Sequence, residues 1–382
     1  MPISNIHVHC FSTKHVPDKF LPYGLPSLLK RSWLRQPLTW TVDKLWPFSN
    51  KDQFSRFSRF VQSTYMQDQE ELLRKLIAFY PDDAVFAILP MDMAFMGAGK
   101  VEEPLEQQLA NLVAIRDKAE WRDRLRLFLP IDPRRFGPAT DTASIERAST
   151  AALDFVRRYV EEHGFRGIKL YPMLGFWACD RRLWKVYHYC EAHGIPITTH
   201  ASRGGVYYKG DLADSPELTT HPFGELLPLG EDNATFTDRL GDPDQFRYAL
   251  EDFPKLKLNL AHYGGAADWA SYLEKPWDPT DRNSTGRNVT VNWVHKINTL
   301  LRDTRFPNIY TDISYTLFDQ RFVPLLKLFL FDEVIRTHVL YGTDFYMVEM
   351  DSTEREVAIQ FRYWLGEPDF QQMQKNNQRF LE

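Results

Sequence analysis

Two histidines flank a single valine in SNIHVHCF, residues 4–11. An extended chain sends alternate side chains to opposite faces. His7 and His9 therefore share one face, and Val8 and Cys10 share the other, where Cys10 would serve packing. Two imidazoles on one inward face suit a metal ion, although two unrelated histidines near a terminus explain the pattern equally simply. Further polar residues interrupt or close apolar runs: Lys169 in GFRGIKLYP, His200 in PITTHAS, His262 in LNLAHYGG and Asp344 in LYGTDF. A buried ionisable group is costly unless it is paired or ligated. Any one of these is readily explained as a satisfied core residue. All six together, if the fold converges them, describe a metal centre. Imidazole nitrogens and a carboxylate suit Zn²⁺, and also Mn²⁺ or Fe²⁺.

The elements that must position them are legible as an alternation. Short runs rich in β-branched and aromatic residues occur at 4–11, 84–91, 125–132, 165–172, 195–202, 256–263, 308–315 and 338–345. Each is bounded by Pro, Gly, Asp or Asn. Helical patterns lie between them, at 69–80, at 143–164 with a cap near Thr142 and a stop at Gly164, at 181–194 after Asp180, and at 291–303. Strand–helix alternation repeated eight times predicts a parallel sheet closed into an α/β, (β/α)8 TIM-type barrel, with an open doubly wound sheet as the other arrangement. The six polar residues then fall at the C-terminal ends of strands, the face where barrel enzymes keep their chemistry.

The whole chain, 1–382, reads as one such barrel. Three long connections, 12–65, 201–241 and 264–286, follow strands and so form insertions on that face. The first carries FLPYGLPSLL, TWTVDKLWPF and FSRFSRFV. It is too long for a structureless loop and predicts an aromatic-rich cap or lid over the barrel mouth.

Composition narrows the class of partner. The chain is 43% hydrophobic and 25% charged, as in soluble globular proteins, and its net charge of −5 leaves no basic footprint for nucleic acid. Three cysteines make no disulfide framework and suit a reducing compartment, so a cytoplasmic location is expected. No basic stretch followed by an apolar run predicts a signal peptide, and no run of about 18 apolar residues predicts a membrane span. A small-molecule substrate is expected, with a homo-oligomer allowed.

With these residues in view, the sequence resembles the amidohydrolase superfamily, and more narrowly its amidohydrolase-related branch of hydrolases and non-oxidative decarboxylases. The phrases that carry the resemblance are NIHVHCF, LPIDPRR, GFRGIKLYP, HGIPITTHAS, FPKLKLNLAHYGG, FPNIYTDISY and VLYGTDF, spread from the N-terminus to NNQRFL. Members often carry Asp where this chain has Asn5, a position expected to support the strand rather than the metal.

The resemblance implies that His7, His9 and Asp344 bind a first metal, with His200 as a ligand in either version of the site. In a one-metal site His262 polarises the substrate. In a two-metal site His200 and His262 bind the second ion, and Lys169 must be carboxylated, because an ammonium has no lone pair to donate. KLYP is similar to the stretch around the bridging lysine of dihydroorotases; the other reading keeps Lys169 as an ammonium for a substrate carboxylate. A metal-bound water near neutral pH would attack a carbonyl, with Asp344 taking its proton. Arg203 would bind a substrate carboxylate or phosphate, or is a surface-loop arginine. Tyr171 and Trp177 would line the pocket, or simply pack. Gly264 and Gly265 let the backbone turn sharply after His262.

Three activities follow. The first is hydrolysis of an amide, lactone or related carbonyl bond. The second is decarboxylation at the same metal site, with no attacking water. The third is a non-catalytic barrel used for binding. The aromatic insertion hints at an apolar or aromatic substrate.

Overall fold

The computed structural model describes residues 2–20, 68–224, 232–272, 292–350 and 352–382. Most of the expected lid, residues 21–65, lies outside the described residues, as does most of 264–286.

Eight parallel strands form one sheet in sequence order: β1 (Ser4–Val8), β2 (Val85–Ile88), β3 (Leu125–Pro130), β4 (Gly167–Leu170), β5 (Ile197–Ser202), β6 (Leu258–Gly264), β7 (Ile309–Asp312) and β8 (Val339–Leu340). The last strand returns to the first. Ile6 N donates to Tyr341 O (3.1 Å), Asp344 N to His7 O (2.9 Å) and His9 N to Phe345 O (2.6 Å). The architecture is the (β/α)8 barrel expected from the alternation, with insertions on its C-terminal face.

The outer layer contains α1 (Gln69–Ile77), α2 (Leu105–Arg116), α3 (Thr142–Arg157), α4 (Trp184–His193), α5 (Phe246–Asp252), α6 (Trp293–Leu301), α7 (Val323–Phe329), α8 (Glu354–Leu365) and α9 (Glu367–Leu381). Local chemistry sets their ends. Asp141, one residue before the expected cap, takes the N-cap of α3 through a reciprocal pair with Ser144. α3 loosens into one π-helical stretch, Arg158–Glu162, before Gly164 turns the chain at φ 66°. α4 begins one 3₁₀ turn after Asp180 and stops at Gly194 in the left-handed region.

Two apolar layers hold the barrel. Ile6, Ala87, Leu89, Phe128, Tyr310 and Leu340 fill its interior, closed by Phe380 of α9. Val8 and Cys10 belong to the larger layer between strands and helices, as the strand alternation requires. Cys10, Cys179 and Cys190 are all buried free thiols.

The strands pair over less of the chain than their apolar runs suggest. The run 338–345 pairs regularly only at Val339–Leu340, and β7 stops at Asp312. Beyond these points the backbone leaves the ladder to aim side chains: Asp344 sits at φ 65° and His262 at φ 67°. Such positive φ is strained for non-glycine residues and clusters at functional sites. Gly342 shows how tightly the closing strands meet. A Cβ there would stand 2.7 Å from His7 Cβ, so only glycine lets β8 pass β1 at that height.

Candidate metal centre

All six polar residues expected at strand ends are buried, and they converge at the C-terminal mouth of the barrel. The imidazoles form a chain of contacts: His9 to His7 (5.2 Å between ring centres), His7 to His262 (4.8 Å) and His262 to His200 (4.7 Å). Asp344 Oδ1 closes the group, 3.2 Å from His9 Nε2 and 3.7 Å from His7 Nε2.

Each ring is fixed through one nitrogen, which decides what the other presents. His7 Nδ1 donates to Asp312 Oδ2 (3.1 Å), His9 Nδ1 to the Leu89 carbonyl (2.8 Å) and His262 Nδ1 to the Ser314 carbonyl (3.0 Å). That leaves the Nε2 atoms of His7 and His262 as lone pairs, while His9 Nε2 faces the Asp344 carboxylate. His200 is held the other way round, by Nε2 against the Ser202 carbonyl (3.1 Å) and stacked on Tyr171 (4.2 Å). Its Nδ1 is therefore the open atom. Fixing one imidazole nitrogen on a carbonyl or carboxylate is the usual way a protein orients a histidine ligand.

Titration agrees with this geometry. Burial, then the charge of Lys169, lowers His7 to about 3. Burial also lowers His200 and His262. All three are neutral at pH 7 and offer lone pairs without a competing proton. Asp344 is held below the ordinary carboxylate range; burial alone would raise it, but neighbouring His9, His7 and His262 outweigh that.

His7 Nε2 and Asp344 Oδ1 have no hydrogen-bond partner among the described residues. Leaving such atoms buried and unsatisfied costs about 1–3 kcal/mol each. His9 Nε2 stands 3.2 Å from the same carboxylate oxygen. The three ligand atoms lie within 4.8 Å of one another, close enough for one cation to reach all of them. The donor set of two imidazoles and a carboxylate fits a divalent ion of the zinc, manganese or iron type.

His7, His262 and Asp312 form a second close group. Its chemistry differs. Asp312 Oδ2 accepts from His7 Nδ1 and Asn259 Nδ2 (2.7 Å), and Oδ1 accepts from His262 N (3.1 Å), Ser314 N (3.0 Å) and Ser314 Oγ. Both oxygens are fully used, so Asp312 orients the histidines rather than holding a second ion. Burial works against its ionisation, but His7, His262 and Ser314 hold it well below the usual carboxylate range.

Lys169 enters the same floor from β4. Its Nζ is buried, has no hydrogen-bond partner among the described residues and lies 5.9 Å from the Tyr171 ring centre. Burial lowers it to about 8, against the opposing charges of Asp344 and Asp312.

Above the floor lies a cavity of about 240 Å³. His9, His200, His262 and Asp344 reach it, and Phe11, Met91, Tyr171, Val206, Tyr315 and Met347 form much of its wall. Arg203 also lines it, held by Asp268 (Nε to Oδ2 3.1 Å) and lying over the Trp293 ring (4.9 Å). Gly264 and Gly265, both at positive φ, make the expected turn after His262. Trp177 departs from expectation. It packs into a separate cluster with Cys179, Leu212, Leu218, Phe236 and Leu240, and does not line this cavity. Its large apolar ring gains more from that satellite core than from a wet cleft.

Asp312, Ser314 and Asn259 escaped sequence reasoning. Asp312 closes the apolar run NIYTDISY just as Asp344 closes HVLYGTDF, so the same criterion applied to the seventh strand would have found it. A polar cluster behind the floor also escaped it. Asn5 Oδ1 accepts from His7 N and Thr343 N (both 3.2 Å), while Asn5 Nδ2 donates to Thr343 Oγ1 (2.7 Å). Thr343 Oγ1 (2.9 Å) and Tyr80 Oη donate in turn to Glu354. This cluster staples β1 to β8 beside His7 and Asp344, the strand-supporting role expected of position 5.

No curated protein sequence matches the chain. Among solved structures, 4-oxalomesaconate hydratase LigJ from Rhodopseudomonas palustris is similar at 17% identity, covering 99% of this chain and 95% of that one with a TM-score of 0.47. A uronate isomerase from Bacillus halodurans C-125 is similar at 12% identity, covering 100% and 93% with a TM-score of 0.39. A family model described as amidohydrolase matches residues 86–375, the greater part of the chain, and the chain belongs to that family.

Proposed function

We propose that this enzyme is a metal-dependent hydrolase, adding water to the carbonyl carbon of an amide, lactone or related bond in a small molecule. One observation carries the reading. His7 Nε2, His9 Nε2 and Asp344 Oδ1 converge beneath a cavity that His200, His262 and Arg203 also line.

A bound divalent cation would polarise the carbonyl and lower the pKa of water from about 15.7 toward about 7. The remaining work falls to the chain. His7 and His9, with His200 Nδ1 within the same ring chain, would hold the ion. Asp344, kept ionised, accepts the proton of the attacking water and returns it to the leaving group. His262 would steady the charge that develops on the carbonyl oxygen once protonated at Nε2, as the imidazolium whose Nδ1 stays on the Ser314 carbonyl. Arg203, already fixed by Asp268 and Trp293, steers a substrate carboxylate or phosphate at the wall. The aromatic and methionine wall excludes water from the rest of the substrate. A second ion would engage His200 and His262, and would require Lys169 as its carbamate.

The test is a panel of amides and lactones assayed with the Zn²⁺- and Mn²⁺-loaded protein, with released CO₂ measured in parallel. Hydrolysis products without CO₂ support the reading. Release of CO₂ from an aromatic or unsaturated acid assigns decarboxylation to the same site, and absence of metal uptake would leave a binding barrel.

A further inference from the structure

Exposed apolar side chains are not spread evenly over this molecule. Among the described residues Phe223 and Tyr248 cover one another (4.4 Å between rings), and Phe79 stands alone. Leu328, Phe331, Val334, Ile359, Tyr363 and Trp364 are the rest of the large exposed set, and all lie on α7, the turns after it, and α8. These two helices pack against each other. Each follows or precedes a strand of one parallel barrel, so they run in the same direction and their C-terminal ends lie at the same end. Arg336, two residues beyond Val334, reaches Asp369 at the start of α9 (3.4 Å), which joins the two ends directly.

The pattern within α8 is informative. Val357, Phe361 and Leu365 face the barrel. Ile359 and Tyr363, four residues apart, share the opposite side. A helix that is apolar on both sides belongs to a buried setting. Here one side faces solvent, with Tyr363 at 78% exposure and Phe331 beyond it at 86%.

Area decides what could cover it. Aromatic side chains carry about 150–250 Å² each. Three of them, largely exposed, with three aliphatic neighbours present apolar area on the order of 700 Å². That is above the range of about 300–600 Å² for the largest patch of a typical monomer. It approaches the roughly 800 Å² per partner of a standard protein interface. Its aromatic residues, Phe331, Tyr363 and Trp364, are of the types enriched at interfaces.

The rim tells against a charged partner. Arg302 pairs with Asp332 (2.7 Å), Arg336 with Glu333 (3.5 Å) and Asp369, and Arg362 with Glu367 (2.6 Å). These rim charges are paired within the chain, while Lys327, Arg355 and Glu356 are exposed on the same two helices, charges of both signs that a second copy could pair across the contact.

We propose that the α7–α8 face is a dimer interface, in which a second copy of this chain packs the same residues about a twofold axis. Such an isologous contact buries each side chain twice and so doubles the apolar area removed from water. The interface lies on the outer helical layer, away from the mouth where the metal centre sits, so each subunit carries a complete site.

The experiment is analytical ultracentrifugation of the full-length, Zn²⁺-loaded protein from sub-micromolar to tens of micromolar, beside the double variant Phe331→Glu/Tyr363→Glu. These side chains are exposed, so the variant keeps its far-UV circular dichroism and metal content. The expected result is a dimer in the wild type and self-association weakened at least about 100-fold in the variant, as loss of two aromatic anchors implies. A wild type that stays monomeric at tens of micromolar overturns the proposal. So does a dimer that the double variant leaves intact, or a monomer that instead co-sediments with phosphatidylcholine–phosphatidylserine vesicles.

Discussion

Asp312 stands directly behind His7, with Oδ2 3.1 Å from Nδ1, and this contact turns the opposite nitrogen of the ring toward Asp344 and the cavity. The carboxylate never reaches the open mouth. Its influence passes through the imidazole it holds. Asp312→Asn removes the charge and weakens the hold on ring orientation. Metal affinity, measured by competition with a chromogenic chelator, is expected to fall about 10–100-fold while the circular dichroism stays native. Unchanged affinity would reduce Asp312 to a packing role.

Asp344 makes a sharper demand. In the proposed function it is both a donor to the metal centre and the group that carries a proton. Asp344→Asn keeps the shape and loses the basicity, so turnover is expected to drop by at least about 10²-fold with the fold retained. Steady-state kinetics with thermal melts on the same preparation check this, and near-wild-type rates would remove Asp344 from the chemistry.

Removing the metal tests the site as a whole. Dialysis against a strong chelator is expected to abolish turnover, and Zn²⁺ or Mn²⁺ to restore it. Binding to the folded state alone adds stability by mass action, about 2.7 kcal/mol at a free metal concentration 100 times Kd. Differential scanning calorimetry with and without added ion reads that shift. A melting temperature indifferent to either ion would mean that the converging lone pairs do not form a site.

Glu354 gives a prediction about pH. Burial raises its carboxyl from 4.5 to about 7, even though Tyr80 and Thr343 donate to it. The folded chain therefore holds this proton more tightly than the unfolded chain. Stability from this group is fully present below about pH 4.5, declines as pH rises toward 7, and is level above that. The span amounts to about 3 kcal/mol at most. Glu354→Gln is expected to flatten this part of the pH–stability curve, measured by urea unfolding at pH 5 and pH 8. A variant whose slope matches the wild type would assign the effect to another group.

What could be read from the sequence, and what could not, divides along physical lines. Apolar runs and their spacing are local, so all eight strands were legible, and so were the polar residues that end them except Asp312 of β7. The extent of pairing was not. The run HVLYGTDF looks like a full strand, yet its regular ladder with β7 covers only Val339 and Leu340; beyond it Tyr341, Asp344 and Phe345 bond singly to the β1 segment, with Asp344 at positive φ. Trp177 illustrates a different limit. It follows strand four as Tyr171 does, but the local pattern carries nothing to separate a wall residue from one drawn into a neighbouring cluster. Asp312 was missed for a third reason. A residue that orients a ligand has the same composition as one that binds, and only distance distinguishes them.

The seam between β1 and β8 has a consequence for how the enzyme comes into being. Asn5 and Thr343 meet across it although 338 positions separate them in the chain. During synthesis, His7 and His9 emerge long before Asp344, their carboxylate partner, exists. Such long-range closure is slow and late in folding. The nascent chain is thus expected to be inert toward metal until its final strand docks, so ion capture would report completion of the barrel.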